Sequence, residues 1–141
     1  MNCRHIRWLK QRNVASVVVS VADEDKEEVL PLVKRFYDMG FNIEATIGTA
    51  LFLKQRGLRV KIRRTPSERS SEILEALRSG YVNYVINTKA ILSGVHHGDG
   101  EKIRQTAAEN NITMLTSLDT TRVLLDVLEE MTIGISTVDA E

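Results

Sequence analysis

Apolar and polar positions follow one another along the chain in blocks that predict strands and helices in turn. The run Val14–Val21 is nearly continuous, apolar and β-branched, which is typical of a strand buried on both faces of a parallel sheet. Apolar residues then recur at intervals of three and four over Val29–Tyr37, which predicts an amphipathic helix that ends at Gly40. Pro31 lies inside this pattern, and we expect it to start or kink the regular part of the helix.

A strand followed by a helix is predicted four more times. Gly48 and Thr49 form the predicted turn before the second helix, while Asp99 and Asp119 are predicted to cap the last two. Leu58–Arg63 alternates apolar and basic residues, which indicates a strand at the sheet edge. This alternation predicts one α/β domain: a three-layer, doubly wound, five-stranded parallel sheet with right-handed crossovers. The further strands are predicted at Phe41–Ile47, Leu58–Arg63, Tyr81–Ile86 and Ile112–Thr116, and the further helices at Ala50–Arg56, Ser70–Ser79, Asp99–Asn110 and Asp119–Met131.

The composition is that of an ordinary globular domain. Of the 141 residues, 43% are hydrophobic and 27% are charged, and the length is that of one domain. The single cysteine, Cys3, excludes a disulfide framework and a cysteine metal site. No apolar run approaches the roughly 20 residues of a membrane helix, and the basic residues 1–12 lack the apolar core of a signal peptide. We therefore predict a cytoplasmic protein without a membrane partner.

Charge is balanced overall but unevenly distributed. Lys plus Arg and Asp plus Glu both number 19, so the net charge is zero, which argues against nucleic acid as a partner. From Lys54 to Arg69, however, seven residues are cationic and only Glu68 is acidic. Two interpretations stay open: this stretch is a solvated basic surface, or it faces a small anion such as a phosphorylated metabolite.

Doubly wound sheets bind their ligands at the carboxyl ends of the strands, so the residues just after each strand are the candidates for binding. Gly48 allows close approach of the backbone, and Thr49 lies where free helix N–H groups attract an anion. Hydroxyls, amides and cations follow four consecutive strands, which predicts a phosphate cradle, although ordinary turn and cap chemistry explains each piece alone. The candidate binding residues are Lys26, Thr46, Gly48, Thr49, Arg64, Thr65, Asn87 and Thr88.

Catalytic and metal-binding patterns are weak. The motifs GxGxxG, GxxxxGK[ST] and GxSxG are absent. His96 and His97 are adjacent on a predicted loop and lack a third ligand, so we predict no metal site. Asp99 and Asp119 are interpreted as helix caps and not as general bases. No catalytic residue and no cofactor are predicted for this domain.

Several ordered segments resemble the C-terminal regulatory domain of the carbamoyl phosphate synthetase large subunit. Val17–Lys26 is similar to its opening strand and turn, and Gly40–Ala50 to its GF…ATxGTA segment. Val85–Thr88 resembles its VINT motif, Lys102–Ala108 its IRRxA helix and Leu115–Leu118 the end of its last strand. The resemblance covers nearly the whole chain and implies a fold named for methylglyoxal synthase, an enzymatic relative. The regulatory domain is then expected at 14–131, between a linker or tail at 1–13 and a C-terminal tail at 132–141.

The resemblance implies an allosteric domain that binds a nucleotide monophosphate, UMP or IMP. Its implied partners are the synthetase domains and the small glutaminase subunit. Together these act as a ligase that makes carbamoyl phosphate from glutamine, bicarbonate and ATP for pyrimidine and arginine synthesis. Better-known members carry a lysine where this chain has Thr65, and Arg63 or Arg64 would substitute for it. The residues implied to hold the phosphate and ribose are Lys26, Thr46, Thr49 and Asn87, with Thr88 adjacent.

Two other functions stay open. Methylglyoxal synthase uses carboxylates to move protons on dihydroxyacetone phosphate. Its Asp-Pro motif after the fourth strand is replaced here by Asn87-Thr88-Lys89, which leaves Glu68 as a remote candidate for the base. The other alternative is an interaction domain without a ligand, which would dock through the basic stretch Lys54–Arg69.

Overall fold

The structure is a computed structural model that describes residues 15–65, 69–88 and 97–140, with side chains described except at 97–100 and 132–140. No helix in these ranges is long and apolar enough to span a bilayer. The strands are β1 Ser16–Ser20, β2 Asn42–Ala45, β3 Val60–Ile62, β4 Val82–Asn87 and β5 Thr113–Leu115. A 3-10 turn at Asp23–Asp25 precedes the first of the helices, which are α1 Lys26–Asp38, α2 Ile47–Gln55, α3 Glu72–Arg78, α4 His97–Glu109 and α5 Leu118–Ala140.

The sheet is parallel throughout, in the order β3-β2-β1-β4-β5. The chain moves from β1 to β2 and β3 on one side, then crosses back to β4 and β5 on the other. Helices α1, α2 and α5 contribute to one core, while α3 and α4 contribute to a second. The predicted three-layer, doubly wound, five-stranded parallel sheet is therefore confirmed, and β3 is an edge strand as its alternating sequence indicated.

Strand β1 is the centre of the sheet, because β2 pairs with one of its edges and β4 with the other. Val17 and Val19 belong to the core under α1, α2 and α5, while Val18 belongs to the core under α3 and α4. All three side chains are fully buried. A strand with helices on both faces needs apolar residues at every position, which explains the continuous apolar run in the sequence.

Helix α1 ends as predicted but does not begin at Pro31. It starts five residues earlier, at Lys26, and runs through the proline. Pro31 is exposed, so water can reach the carbonyl that loses its helical donor there. At the other end Gly40 has a φ of 98°, a left-handed conformation that glycine adopts without the usual penalty.

The predicted starts of the four later helices are displaced by one to three residues. Helix α2 begins at Ile47, so Gly48 and Thr49 lie in its first turn and not in a preceding turn. Helix α4 begins at His97, so Asp99 lies inside it and is not its cap. The starts were misplaced because several neighbouring residues are suitable caps and sequence alone does not choose among them.

The last helix shows the same effect in detail. Its cap is Ser117, whose hydroxyl accepts the N–H groups of Asp119 and Thr120 at 3.2 and 3.5 Å. Asp119 instead accepts a hydrogen bond from Arg122 at 2.6 Å, so the prediction that Asp119 is the cap was wrong. The helix also continues to Ala140, past the predicted end at Met131.

Ion pairs between Arg35 of α1 and two carboxylates of α5 hold these helices together. Its guanidinium donates to both carboxylate oxygens of Glu129, from Nε at 2.9 Å and from Nη2 at 2.7 Å. The same Nη2 also donates to Asp126 at 2.7 Å. This forked geometry is the strong form of an arginine–carboxylate pair. The hydrogen bond from Arg35 lowers the pKa of Glu129, since it favours the ionised carboxylate.

We predict that Glu129→Gln destabilises the fold at neutral pH but not in acid. Because the folded-state pKa of Glu129 is lowered, its contribution to stability is complete above the unfolded value of about 4.3. That contribution disappears as the pH falls through the folded pKa. Urea unfolding of both proteins from pH 7 to pH 3 should show a difference that shrinks below about pH 4. Glu130→Gln, at the exposed next position, is the control, and an equal pH trend there would contradict the assignment.

Candidate functional site

The carboxyl end of β1 is held by hydroxyl groups from two neighbouring segments. The Val21 N–H donates to the Thr49 hydroxyl at 3.3 Å, and the Ala22 N–H donates to the Thr88 hydroxyl at 3.2 Å. A buried backbone N–H without a partner is costly, so these hydroxyls stabilise the turn after β1. A hydroxyl that accepts a hydrogen bond can still donate one through its own O–H. The two threonines can therefore hold the protein backbone and a ligand oxygen at the same time.

The N-terminus of α2 opens beside this turn without a side-chain cap. The residue at the cap position is Thr46, which has extended backbone angles, but its side chain makes no capping hydrogen bond. The Thr46 hydroxyl is instead directed to the Ser20 hydroxyl, at a long 3.4 Å. Ala50 donates to the Thr46 carbonyl, so Ile47, Gly48 and Thr49 carry the N–H groups of the first turn. Such a turn attracts an anion through its N–H groups and its helix dipole.

Lys26 lies against this first turn. A Cβ added at Gly48 would be 3.5 Å from the Lys26 ammonium. The cation therefore lies close to the helix backbone at the position where glycine has no side chain. The Lys26 side chain is 18% exposed and is held by Asp23, whose carboxylate accepts a hydrogen bond from Nζ at 2.6 Å. The structure therefore places two of the predicted binding positions, Lys26 and Gly48, next to each other.

The N-termini of α1 and α2, which both lie at this end of the sheet, have opposite surroundings. The 3-10 turn that leads into α1 consists of Asp23, Glu24 and Asp25, and Glu27 and Glu28 follow in the first turn of α1. The first turn of α2 contains no acidic residue. Negative side chains already occupy the positive end of the α1 dipole, whereas the α2 end lacks a carboxylate of its own. An anion at this edge would therefore prefer α2.

The remaining predicted residues lie around this centre. Asn87 is buried and pairs in register with Ser20 across β1 and β4. The Thr88 N–H donates to the Ser20 carbonyl at 3.2 Å, which brings Thr88 to the same end of β1. Arg64 is exposed, and its backbone N–H donates to Glu72 at 3.1 Å, which ties it to the start of α3. Thr65 is buried, and its carbonyl accepts the Ser70 N–H.

The structure thus places Lys26 next to Gly48. Thr46, Thr49 and Thr88 each form a hydrogen bond with a residue at the end of β1 or just after it. It ties Arg64 and Thr65 to the segment that begins α3. Three expectations from the sequence, those for Glu68, Lys89 and His96, lie outside the described residues. The described residues contain no group of three His, Cys, Asp or Glu side chains placed to hold a metal ion.

Two residues of this site were not singled out from the sequence. Ser20 accepts a hydrogen bond from Thr46 and lies in register with Asn87. The sequence feature that could have identified it is a hydroxyl residue near the end of the apolar run Val17–Val21. Asp23 forms an ion pair with Lys26, and the sequence feature that could have identified it is their spacing of three residues. The ion pair could not be predicted from this spacing, because sequence alone does not show which way Lys26 turns.

Comparisons with known proteins agree with this fold. A family model described as MGS-like domain matches residues 28–116. Among solved structures, a methylglyoxal synthase from Elizabethkingia anophelis NUHP1 is similar, with a TM-score of 0.66, 16% identity, and coverage of 80% of this chain and 78% of that one. The protein ForH is also similar, with a TM-score of 0.63, 18% identity, and coverage of 83% and 80%. Since the family model spans more than half of the residues, the chain belongs to the MGS-like domain family.

Proposed function

We propose that this domain binds a nucleotide monophosphate at the N-terminus of α2 and regulates a carbamoyl phosphate synthetase. The observation that supports the binding is the Lys26 ammonium beside Gly48, at a helix start that has no side-chain cap and no acidic residue in its first turn. A cation, a run of backbone N–H groups and a residue without a side chain together suit a phosphate group.

The phosphate would occupy the space over Gly48. It would accept hydrogen bonds from the first-turn N–H groups of α2 and from Lys26, which would exchange part of its contact with Asp23 for the ligand. The O–H groups of Thr49 and Thr88 would donate from the side of β1. Each charge-assisted hydrogen bond contributes about 1.5–3 kcal/mol, so a few of them support micromolar affinity after the costs of association.

The regulatory part of the proposal is supported by the segments that resemble the synthetase domain. Among them, Val85–Thr88 places Asn87 at the end of β4 and Thr88 directly after it, where methylglyoxal synthase has an Asp-Pro motif. An amide and a hydroxyl can bind a phosphate or a ribose but cannot act as a general base. The ligand would act by favouring one arrangement of the domain against the synthetase. If UMP and IMP leave carbamoyl phosphate formation by the holoenzyme unchanged, this regulatory part is wrong.

One observation favours a second candidate, a phosphate lyase of the methylglyoxal synthase type. Asp23 places a carboxylate 2.6 Å from Lys26, beside the space proposed for the phosphate. A carboxylate there could remove a proton from dihydroxyacetone phosphate while Lys26 binds the phosphate. The Asp23 side chain is 89% exposed, so a substrate could reach it.

Calorimetric titration separates these candidates. The chain would be titrated with UMP, IMP and uridine, and incubated in parallel with dihydroxyacetone phosphate under an assay for methylglyoxal. We expect UMP or IMP to bind saturably and uridine, which lacks the phosphate, to bind far more weakly. Formation of methylglyoxal would establish the lyase instead. Silence with every ligand would favour the interaction domain without a ligand.

We predict that Lys26→Gln weakens binding of the nucleotide that the titration identifies by about 10- to 100-fold, since one charge-assisted hydrogen bond is lost. The matched control is Lys34→Gln, an exposed lysine of the same helix, which should change the affinity less than about twofold. Equal losses in the two variants would mean that only general charge attraction is measured, and would contradict a site at Lys26.

We predict that Gly48→Ala weakens nucleotide binding about tenfold, which is about 1.4 kcal/mol, while leaving the protein as stable or slightly more so. The added methyl would meet the Lys26 ammonium at 3.5 Å, an ordinary contact, so the fold accommodates it. The phosphate would lose that space. Calorimetry and thermal unfolding of the same preparation measure both effects, and unchanged affinity with unchanged stability would exclude a phosphate over Gly48.

We predict that Asp23→Asn separates the two candidates by the sign of its effect. If the domain only binds, removing the competing carboxylate raises the nucleotide affinity by up to about fivefold, as expected for an exposed charge. If the domain is a lyase, the same variant abolishes methylglyoxal formation. Glu24→Gln, an exposed acid of the same turn, is the control. Weaker nucleotide binding in Asp23→Asn would show that Asp23 positions Lys26 and does not compete with the ligand.

A further inference from the structure

The basic residues within and directly beside β3 lie on one side of the sheet. Alternate side chains of a strand point to the same face, so Arg59, Lys61 and Arg63 share one face. We call these three residues the basic face. The residues between them, Val60 and Ile62, belong to the core under α1, α2 and α5.

No described helix covers this part of the sheet. The core under α3 and α4 draws its strand residues from β1 and β4, namely Val18, Val82 and Val85, and none from β2 or β3. An open pocket of about 1110 Å³ lies there instead, lined by the basic face together with Asn42, Glu44 and Tyr81. Its lining includes the first residues of β1 and β2, so it lies away from the candidate phosphate site at the carboxyl ends.

One of the three cations, Arg63, forms an ion pair within the protein. Arg63 donates from Nε to Glu44 at 2.8 Å and from Nη2 to the Tyr81 hydroxyl at 2.9 Å. The Glu44 side chain is 5% exposed, so this ion pair neutralises a buried carboxylate. Arg59 and Lys61 are exposed and have no ion-pair partner among the described residues. Their charge is therefore available to a ligand.

The outer edge of β3 is also open. The strand is the last in the sheet, and no other strand of the described chain pairs with its outer side. Such an edge offers backbone N–H and C=O groups to an added strand. Residues on one face of an added strand repeat at about 6.6–6.8 Å, which is also the spacing between Arg59 and Lys61 along β3.

We propose that the basic face and the open edge of β3 bind an extended acidic segment of a partner protein as an additional strand. Carboxylates at alternate positions of that segment would lie beside Arg59 and Lys61, in the cross-strand arrangement that favours opposite charges. Residues 1–14 of the chain itself carry four basic residues and no acidic one, so their charge does not complement this face. This inference is independent of the nucleotide site.

The test is fluorescence anisotropy with the full chain and a labelled seven-residue peptide of alternating threonine and glutamate, at about 20 mM salt, where charge attraction is weakly screened. Arg59→Gln/Lys61→Gln should weaken binding at least about fivefold, since two exposed ion pairs are lost. Lys34→Gln/Lys54→Gln removes the same charge from exposed positions on α1 and α2 and should change the affinity less than about twofold. A peptide methylated at alternate backbone nitrogens should bind less well, because strand addition needs those N–H groups.

Several outcomes would overturn the proposal. Equal weakening in both double variants would indicate unspecific attraction. Absence of binding, with aggregation of Arg59→Gln/Lys61→Gln, would show that the cations only protect the edge strand. Displacement of the peptide by UMP would place it in the nucleotide site, and displacement by inorganic phosphate at millimolar concentration would indicate a small-anion site. A dimer in sedimentation equilibrium that Arg59→Gln/Lys61→Gln dissociates would identify a second copy as the occupant.

Discussion

The rest of the structure depends on how the end of β1 is completed. This strand has neighbours on both edges and helices on both faces, so the backbone that leaves it must find hydrogen-bond partners inside the protein. Thr49 from α2 and Thr88 after β4 supply them through their hydroxyls. The requirement to end a buried strand therefore brings together the same segments that form the candidate binding site.

This arrangement gives the threonines two roles that a mutation would not separate cleanly. Loss of the Thr49 hydroxyl would leave the Val21 N–H unsatisfied, and an unsatisfied buried donor costs about 1–3 kcal/mol. A binding defect in such a variant would include that structural cost. Lys26 and Gly48 do not complete the backbone of β1, so they report on the ligand more directly. The hydroxyls of Thr49 and Thr88 thus serve both the fold and the candidate site, whereas Lys26 and Gly48 serve the candidate site alone.

Much of the architecture could be predicted from the sequence, because its signals are long and periodic. The continuous apolar run at β1 and the alternating pattern at β3 specified a buried and an edge strand respectively. The starts of helices were less predictable. Ser117 and Asp119 are both good caps, and the choice between them depends on Arg122, which holds Asp119 at 2.6 Å. Contacts of that kind join side chains whose directions a sequence pattern does not contain.

For the candidate site, too, the sequence predicted which residues take part but not how their side chains contact one another. The parallel α/β pattern led to the prediction that Lys26 and Gly48 both belong to a phosphate site, and the structure places the Lys26 ammonium beside Gly48. Binding of a phosphate there stays a prediction. The ion pair of Lys26 with Asp23, which moderates that positive charge, could not be predicted because it depends on the 3-10 turn before α1.

The basic stretch shows why a count of charges is an incomplete guide to binding. Its seven cations look alike in sequence, yet the structure gives them different surroundings. Arg63 is held by the buried Glu44, and the hydrogen bond between them raises the pKa of Arg63, so this charge serves the fold. The backbone N–H of Arg64 donates to Glu72 at the start of α3, while Arg59 and Lys61 face solvent on the uncovered half of the sheet. Arg63 therefore belongs to the fold, and the interpretation that the stretch faces a small anion stays a prediction.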